Sequence, residues 1–351
     1  MIPAVTFERR RAGSRTVGSL TCMTRPNRHS GPVAGSMRAV VAERFGGPDV
    51  LHVRRIPVPA PGPGQVVVAI HAAGTNPVDA SNRADGTWAG IRPPMVPGYD
   101  ASGVIEAVGP GVRSLSAGDE VFYMSDFVGN PNGTYAEYQA VDAEIVARKP
   151  NRLTHVEAAA VPLAAGTAYE VIVRRLPVHG GASILIHGAA GGVGSFAVQM
   201  AAARGARVIA SASAPRHAML RDLGATWCVD YRSEDVPSAA LELAGSELDA
   251  VADFVGGHLL SRSLGVIRPF GSAASIGSVE GDLDLLIDRN VTLHGVLVRP
   301  DRARLDALRG MIDSGTIRPV VDEVLPLEMA ARVHQRLGSG HGQGKVVLRV
   351  R

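Results

Sequence analysis

Residues 183–194 read SILIHGAAGGVG, and this stretch decides the fold of the second half of the chain. The apolar run at 184–186 is typical of a buried parallel strand, and the glycines after it predict a tight turn. Residues 195–201, SFAVQMA, then predict a helix. Strand, glycine-rich loop and helix in this order are typical of a dinucleotide site, because the helix N-terminus attracts phosphate. An ordinary strand-to-helix turn has a similar pattern, so the flanking sequence must discriminate between them.

The spacing of the glycines favours the dinucleotide site. In Gly188-x-x-Gly191-x-x-Gly194 the absence of side chains lets the backbone approach a pyrophosphate closely. The cofactor-binding candidates in this loop are Gly188, Ala190, Gly191, Gly192, Val193 and Gly194.

The end of the next predicted strand indicates which dinucleotide binds. Folds that select NAD place an Asp or Glu roughly 20 residues beyond the glycines, whereas a nearby Arg suits the 2′-phosphate of NADP. Residues 210–216 read ASASAPR and contain no acid. Ser213 and Arg216 are therefore predicted to bind the 2′-phosphate, and NADPH is the predicted cofactor. The alternative for Arg216 is a solvated position in the first turn of the next helix.

Strands and helices alternate from residue 183 onward, with further strands predicted at 207–210, 248–253 and 272–276. This alternation predicts an α/β fold with a doubly wound parallel sheet. Residues 37–149 differ, because short apolar strands there are separated by Gly and Pro, which predicts a β-barrel-like domain.

A predicted helical region joins these two parts. The alanine-rich segment 155–175 predicts helix, and Thr154 with Glu157 forms a candidate capping box at its start.

The charge distribution argues against a nucleic-acid partner. Residues 1–36 carry a net charge of +5, and since the whole chain carries +3, residues 37–351 are left with −2. A nucleic-acid-binding surface would concentrate basic residues on the folded part. Residues 1–36 are rich in Arg, Ser, Gly and Thr, and Met37 begins a strand-like run, so they are interpreted as a disordered extension or a misplaced start, with a transit peptide as the alternative.

Cysteine and apolar content bear on the setting of the protein. The two cysteines, Cys22 and Cys228, are too few for a disulfide framework, which favours a reducing, cytoplasmic location. No run of 18 apolar residues is found, because arginines interrupt the alanine-rich stretch near residue 204, so no membrane span is predicted.

Several separated stretches resemble one known family. They are, in order, 74–79 (GTNPVD), 97–103 (PGYDASG), 118–121 (GDEV), 135–138 (YAEY), 165–170 (AGTAYE), the loop at 188–194, 253–257 (DFVGG) and 344–348 (GKVVL). Together they are similar to the medium-chain dehydrogenases/reductases, and within them to the zinc-free quinone oxidoreductase-like branch.

This resemblance implies a GroES-like β-barrel catalytic domain at 37–155 together with 300–351, and a Rossmann cofactor-binding domain at 156–299. It implies a cleft between the domains and a homodimer or homotetramer, with 291–296 at the edge where the family pairs Rossmann sheets.

The zinc-binding members of the family have a Cys, a His-Glu pair and a second Cys at three positions that align here with Asn76, Tyr99-Asp100 and a residue near Leu163. Because zinc takes N, S and O ligands that converge, this set predicts that there is no metal site. The histidines show no metal-ligand spacing; they are His29, His71, His155, His187 and His217.

Without a Lewis acid, hydride transfer to an already electrophilic acceptor is the favoured chemistry, so the predicted substrate is a small-molecule quinone or enone. The resemblance implies that Asn76 lies beside the nicotinamide and binds the substrate carbonyl. It further implies cofactor contacts from Thr167, Tyr231, Phe254, Val255, Ile276 and Lys345.

Tyr99 is a candidate proton donor, since a phenol in a cleft donates to a forming enolate; the alternative is a packing role. Where family members often carry tyrosines, this chain has Ser81 and Trp88, so its substrate pocket differs from theirs. Two other functions remain open: an enoyl-thioester reductase, and an NADPH-binding redox sensor with weak catalysis.

Overall fold

The computed structural model describes residues 35–338 and 342–351, and within these ranges the chain forms fifteen strands and ten α-helices. The predicted N-terminal extension at 1–36 lies outside the described residues except for its last two positions. No helix in the described ranges is long and apolar enough to cross a membrane.

The N-terminal part is built from short antiparallel strands. A hairpin pairs β1 (Ser36–Ala42) with β2 (Leu51–Pro57). The larger sheet takes β3 (Gln65–Gly74), β4 (Asp100–Val108), β5 (Glu120–Met124), β6 (Tyr138–Asp142) and β7 (Val146–Arg148). Helix α1 (Pro77–Asp85) follows β3 directly, which places the end of β3 and the start of α1 at one point of the fold.

The predicted helical segment at 155–175 is interrupted. It consists of α2 (His155–Ala159), α3 (Pro162–Tyr169) and a π-helical turn (Glu170–Arg175). The capping box of Thr154 and Glu157 is present at the start of α2. Pro162 lacks a backbone N–H and takes the first turn of α3, where no intrahelical donor is needed, so the chain divides there into two helices.

The second sheet has six parallel strands. Its elements are β8 (Ser183–His187), α4 (Gly192–Ala203), β9 (Arg207–Ser211), α5 (His217–Asp222), β10 (Trp227–Val229), α6 (Val236–Ala244), β11 (Leu248–Asp253), α7 (Leu259–Ser263), β12 (Ile267–Ser275), α8 (Leu285–Asp288) and β13 (Thr292–Gly295). The spatial order is β10-β9-β8-β11-β12-β13. Counted from β8, this is the 3-2-1-4-5-6 order of a Rossmann fold, so the doubly wound prediction is confirmed.

The C-terminal residues return to the first sheet. They form α9 (Arg302–Asp313), β14 (Val321–Pro326), α10 (Ala330–Gly338) and β15 (Lys345–Arg349). Strand β15 pairs with β14 on one side and antiparallel with the end of β3 on the other. Lys345, the first residue of β15, is thereby brought to the point where β3 ends and α1 begins.

Both faces of the parallel sheet are buried, as its apolar strands predict. In β8, Ile184 and Ile186 belong to a large core that also includes residues of the N-terminal sheet, whereas Leu185 faces a second core with Ile209 and Val251. The loop after the carboxyl end of β8 contacts the segment before β15, through a β-bridge between Gly191 and Gly344, and so lies beside the N-terminal sheet that β15 joins.

Candidate active site

The glycine loop joins β8 to α4 at the point where the strand order of the sheet reverses, which is where Rossmann folds bind ligands. Gly188 turns the chain with φ +68°, a left-handed conformation that favours glycine. A Cβ on Gly194 would lie 2.2 Å from the carbonyl oxygen of Gly188, so glycine is required for the helix to pack against the loop.

The same loop has the open backbone surface that a pyrophosphate requires. Gly191 caps α4, and a Cβ placed on it would meet no atom closer than 3.3 Å, the carbonyl oxygen of Gly188. The backbone N–H groups at the start of α4 and the positive end of the helix dipole lie beside this surface. The residues of the loop therefore fit a dinucleotide phosphate.

A cavity of about 1130 Å³ extends in both directions from this loop. At one end lie Ser213, Arg216 and the half-exposed Tyr231. Arg216 Nη1 donates to Gln343 Oε1 from the segment before β15, which holds the guanidinium at the cavity wall. Ser213 and Arg216, the two candidates for the 2′-phosphate, thus line the same cavity.

The other end of the cavity combines polar and aromatic side chains. Asn76 and Thr167 line it together with Trp88 and Phe127, whose ring centroids are 6.3 Å apart. Thr167 Oγ1 donates to Leu163 O one turn earlier in α3, at 2.7 Å. The remaining predicted cofactor contacts also line the cavity: Ala190, Gly192, Val193, Phe254, Val255, Ile276 and Lys345.

Asn76 lies in a buried hydrogen-bond network. Its Nδ2 donates to Asp100 Oδ2 at 3.0 Å, and its Oδ1 accepts from Lys345 Nζ. Its backbone N–H donates to Asp79 Oδ2 at 2.8 Å, and the Tyr135 hydroxyl donates to the same oxygen. Both the side chain and the backbone of Asn76 are fixed by buried groups.

Burial controls the ionisation of this network. It raises the pKa of Asp79 to about 7 and that of Asp100 to about 6, since a carboxylate loses hydration in the interior. The Lys345 ammonium opposes both shifts by its positive charge, while its own pKa is lowered by burial. Lys345 Nζ lies 3.6 Å from Asp100 Oδ2, so the two form a buried ion pair.

Comparisons with known proteins agree with this architecture. The alcohol dehydrogenase GroES-like domain matches residues 62–151, and the zinc-binding dehydrogenase model matches residues 223–348. The chain is 34% identical to a quinone oxidoreductase of Pseudomonas aeruginosa, over 87% of this chain and 97% of that protein. The chain belongs to the medium-chain dehydrogenases/reductases, in their quinone oxidoreductase-like branch. It is therefore an oxidoreductase with a GroES-like domain and a Rossmann nicotinamide dinucleotide site.

Other members of this family show a range of acceptors and cofactors. The chloroplastic NADPH-dependent alkenal/one oxidoreductase of Arabidopsis thaliana is 34% identical, over 89% of this chain and 79% of that protein. A mycobacterial structure complexed with NADPH has a TM-score of 0.81 at 31% identity, and covers 90% of this chain and 100% of that one. A structure described as an NAD-dependent alcohol dehydrogenase has a TM-score of 0.85 at 34% identity, with the same coverage.

Two of the three family positions for zinc ligands, Asn76 and Leu163, meet in this structure at the Asp100 carboxylate, whereas the Tyr99 hydroxyl binds Asn82 instead. Asp100 Oδ1 accepts from Leu163 N at 2.9 Å, and Asp100 Oδ2 accepts from Asn76 Nδ2. Among the described residues no three His, Cys, Asp or Glu side chains are grouped to hold a metal. An amide, a leucine and a carboxylate already paired with Lys345 do not match the donors that zinc takes in proteins.

The structure places Tyr99 away from the cavity. Its side chain is fully buried, and its hydroxyl accepts from Asn82 Nδ2 at 2.7 Å while its ring contacts Phe127 edge-on. Burial raises the pKa of the phenol. Tyr99 therefore packs behind the cavity wall, and the geometry does not bring it to a substrate.

Sequence reasoning missed two residues of the site. The sequence pattern indicates Asp100 only as a replacement for the acid of the His-Glu pair, although its place in that motif is the signal for its central position. Gln343 contacts Arg216 across 127 residues, and nothing in the sequence pattern indicates that pairing.

Proposed function

We propose that this protein is a zinc-independent, NADPH-dependent oxidoreductase that transfers hydride to a quinone or an α,β-unsaturated carbonyl compound. The observation that carries the proposal is the continuous cavity in which the glycine loop connects Ser213 and Arg216 at one end with Asn76, Trp88 and Phe127 at the other. One end suits an adenosine 2′-phosphate, and the other suits a flat, apolar acceptor with a carbonyl oxygen.

The choice of NADPH rests on Arg216. A guanidinium makes charge-assisted hydrogen bonds to phosphate, and this one faces the cavity beside Ser213. The NADPH-dependent relative and the NADPH-complexed structure support the choice, whereas the structure described as NAD-dependent makes a direct measurement necessary.

In the proposed reaction, NADPH when bound supplies a hydride to the electrophilic carbon, and a proton from solvent completes the two-electron reduction. The Asn76 carboxamide binds the carbonyl oxygen through Nδ2–H and stabilises the negative charge that develops there. Trp88 and Phe127 orient the apolar part of the acceptor and exclude water.

Zinc independence is supported by the charge balance behind the site. Asp100 already has the Lys345 ammonium as its counterion and donors on both oxygens. The acceptors proposed here are electrophilic without a Lewis acid, so a metal is not needed to start the reaction.

The test is the decay of NADPH absorbance with metal-free protein and a panel of quinones, enones and enoyl thioesters, with NADH in parallel. We expect NADPH oxidation with a free quinone or enone, undiminished by a chelator. Decay of NADPH absorbance with enoyl thioesters alone would identify the protein as an enoyl-thioester reductase instead. Tight NADPH binding by fluorescence, with no decay on any acceptor, would contradict the enzymatic proposal and favour a redox-sensing role.

A further inference from the structure

Lys345 is an unusual residue in this sequence. The chain has only two lysines, Lys149 and Lys345, among its 36 basic residues. Lys345 is buried, with 4% of its surface exposed, and its Nζ donates to Thr75 O at 2.7 Å and to Asn76 Oδ1. Three oxygens thus surround Nζ: Thr75 O, Asn76 Oδ1 and, at 3.6 Å, Asp100 Oδ2. A compact ammonium fits this arrangement, whereas the broad planar guanidinium of an arginine does not.

The two neighbours of the Asn76 carboxamide impose opposite requirements. The Lys345 ammonium only donates hydrogen bonds, and an ionised Asp100 only accepts them. In the observed orientation Oδ1 faces Lys345 and Nδ2 faces Asp100. A flip of the amide would set N–H against the ammonium and oxygen against the carboxylate, so both contacts would become repulsive.

Hydrogen bonds also fix the backbone around Asn76 and Lys345. Thr75 donates from its N–H and its Oγ1 to Val346 O, at 3.1 and 2.9 Å. Gly344 N donates to Ala190 O of the glycine loop at 2.8 Å. The Lys345 stem passes beside Gly192, where an added Cβ would lie 2.7 Å from Lys345 Cδ. Lys345 thus lies between the glycine loop and Asn76, with little freedom to move.

We propose that Lys345 and Asp100 are positioning residues that lock the Asn76 carboxamide in one orientation and keep its second Nδ2–H for the substrate oxygen. This inference rests on the proposed function, because it assigns Asn76 the role of carbonyl donor there. The ion pair acts through Asn76 and does not touch the substrate itself.

The lock predicts a specific result in a set of three variants: Lys345→Met, Asp100→Asn and the double variant. Lys345→Met leaves the buried Asp100 carboxylate without its counterion, which raises its pKa further so that it takes up a proton, and a carboxylic acid both donates and accepts and no longer selects one orientation. We expect lower stability and a kcat lower by up to about 100-fold, the smaller end of the effect of losing one oxyanion donor. The double variant removes both charges, so stability should recover. Its kcat should stay low, because the carboxamide that replaces the Asp100 carboxylate both donates and accepts and no longer selects one orientation.

A double variant that recovers wild-type kcat would overturn the proposal, since Lys345 would then serve only to neutralise Asp100. The matched control is Lys149→Met. Lys149 Nζ binds the carbonyl oxygens of Pro150 and Leu153 away from the cavity, and kcat should be unchanged.

The pH profile provides a second readout that a purely structural role would not affect. The groups that act electrostatically on Lys345 are the carboxylates of Asp100 and Asp79. Only the protonated amine repels a flipped amide, so wild-type kcat should fall as pH rises through the lowered pKa of Lys345. Lys345→Met should lack this alkaline limb. An identical limb in the variant would contradict the assignment.

A third measurement does not depend on turnover. If the wild type reduces no acceptor in the panel, the proposed function fails. The orientation of the Asn76 carboxamide can still be tested by NMR of its side-chain amide signals, which are assigned by comparison with Asn76→Ala. We expect one sharp pair of Nδ2 proton signals in the wild type, and a second set or exchange broadening in Lys345→Met. Unchanged signals in the variant would exclude the lock even if the enzyme is active.

Discussion

A single side chain, Arg216, distinguishes NADPH from NADH in our proposal. Arg216→Glu replaces a donor to the 2′-phosphate with a repelling carboxylate, so we expect NADPH to bind about 100-fold more weakly and NADH to change by less than about 3-fold. Dissociation constants from cofactor fluorescence measure both effects.

The control for this prediction lies in helix α5, which begins directly after Arg216. Arg221→Glu makes the same charge change in the last turn of α5, where the side chain is exposed and does not line the cavity. Its effect on both cofactors should be small. Equal weakening of NADPH and NADH by Arg216→Glu would remove the 2′-phosphate assignment.

His334 is a residue whose burial affects stability rather than the site. It is 1% exposed, its ring lies edge-on to Tyr135 at 5.7 Å, and neither ring nitrogen has a partner among the described residues. Burial, with a smaller contribution from the positive charge of Arg83, lowers its pKa to about 3. The folded protein therefore keeps His334 neutral at pH values where the unfolded chain protonates it.

The sign of the pH dependence follows from this difference. Below the unfolded pKa of about 6.5 the unfolded state binds an extra proton, so the free energy of unfolding falls as pH decreases toward 3. Between pH 7.5 and 5.0 this one group accounts for about 2 kcal/mol. His334→Phe should remove that part of the loss in urea titrations at the two pH values. The exposed His52→Phe should not, and an unchanged slope in His334→Phe would contradict the assignment.

At the scale of an element, the strand–loop–helix unit depends on how closely α4 approaches β8. Gly194→Ala places a Cβ 2.2 Å from Gly188 O and 2.6 Å from Ala189 Cα, and both contacts are backbone atoms that cannot swing aside. We expect at least a 10-fold loss of NADPH affinity and a lower melting temperature, because the helix must move away from the loop.

Gly310→Ala in α9 is the matched control, since an added Cβ there meets no atom within 4 Å. It should keep NADPH affinity and raise stability by about 0.5–1 kcal/mol, because alanine loses less backbone freedom than glycine. Wild-type affinity in Gly194→Ala would mean that close helix packing is not needed for the cofactor.

Local pattern predicted the elements well where one physical cause dominates. The loop at 188–194 could be predicted because a left-handed turn and the close approach of a helix to the backbone of the loop both require glycine. The alanine-rich pattern at 155–175 predicts helix throughout, but tertiary packing and Pro162 divide the segment into α2, α3 and a π-helical turn. Composition alone does not show where a helix breaks.

At the scale of the whole molecule, the Rossmann strand order was predictable, since the alternation of strands and helices restricts the topology. The hydrogen bonds that connect the residues of the site were not predictable. Asn76 and Lys345 were each predicted at the cofactor site, but their contact spans 269 residues and exists only because β15 pairs with β3. The burial that places Tyr99 away from the cavity likewise arises from packing that periodicity does not encode.

The edge of the six-stranded sheet leads to the last prediction. Strand β13 pairs with β12 on one side, and within the described residues no strand covers its other side. Exposed apolar side chains belong to the elements next to β13: Ile287 of α8, the helix that precedes it, is 80% exposed, and Phe270 of the paired strand β12 is 73% exposed. An open strand with apolar neighbours is a template for pairing with a second copy, so we predict that two copies pair through β13 as a homodimer, one of the two assemblies that the family resemblance implies.

Thr292→Lys adds an exposed charge on this strand, and two copies in an edge-to-edge pair would bring these charges together. We expect light scattering during gel filtration to give a dimer for the wild type and a monomer for Thr292→Lys, with NADPH affinity retained because β13 is remote from the glycine loop in strand order. Ala203→Lys adds the same charge at the exposed end of α4 and should remain dimeric. A dimer that persists in Thr292→Lys would place the interface on another surface.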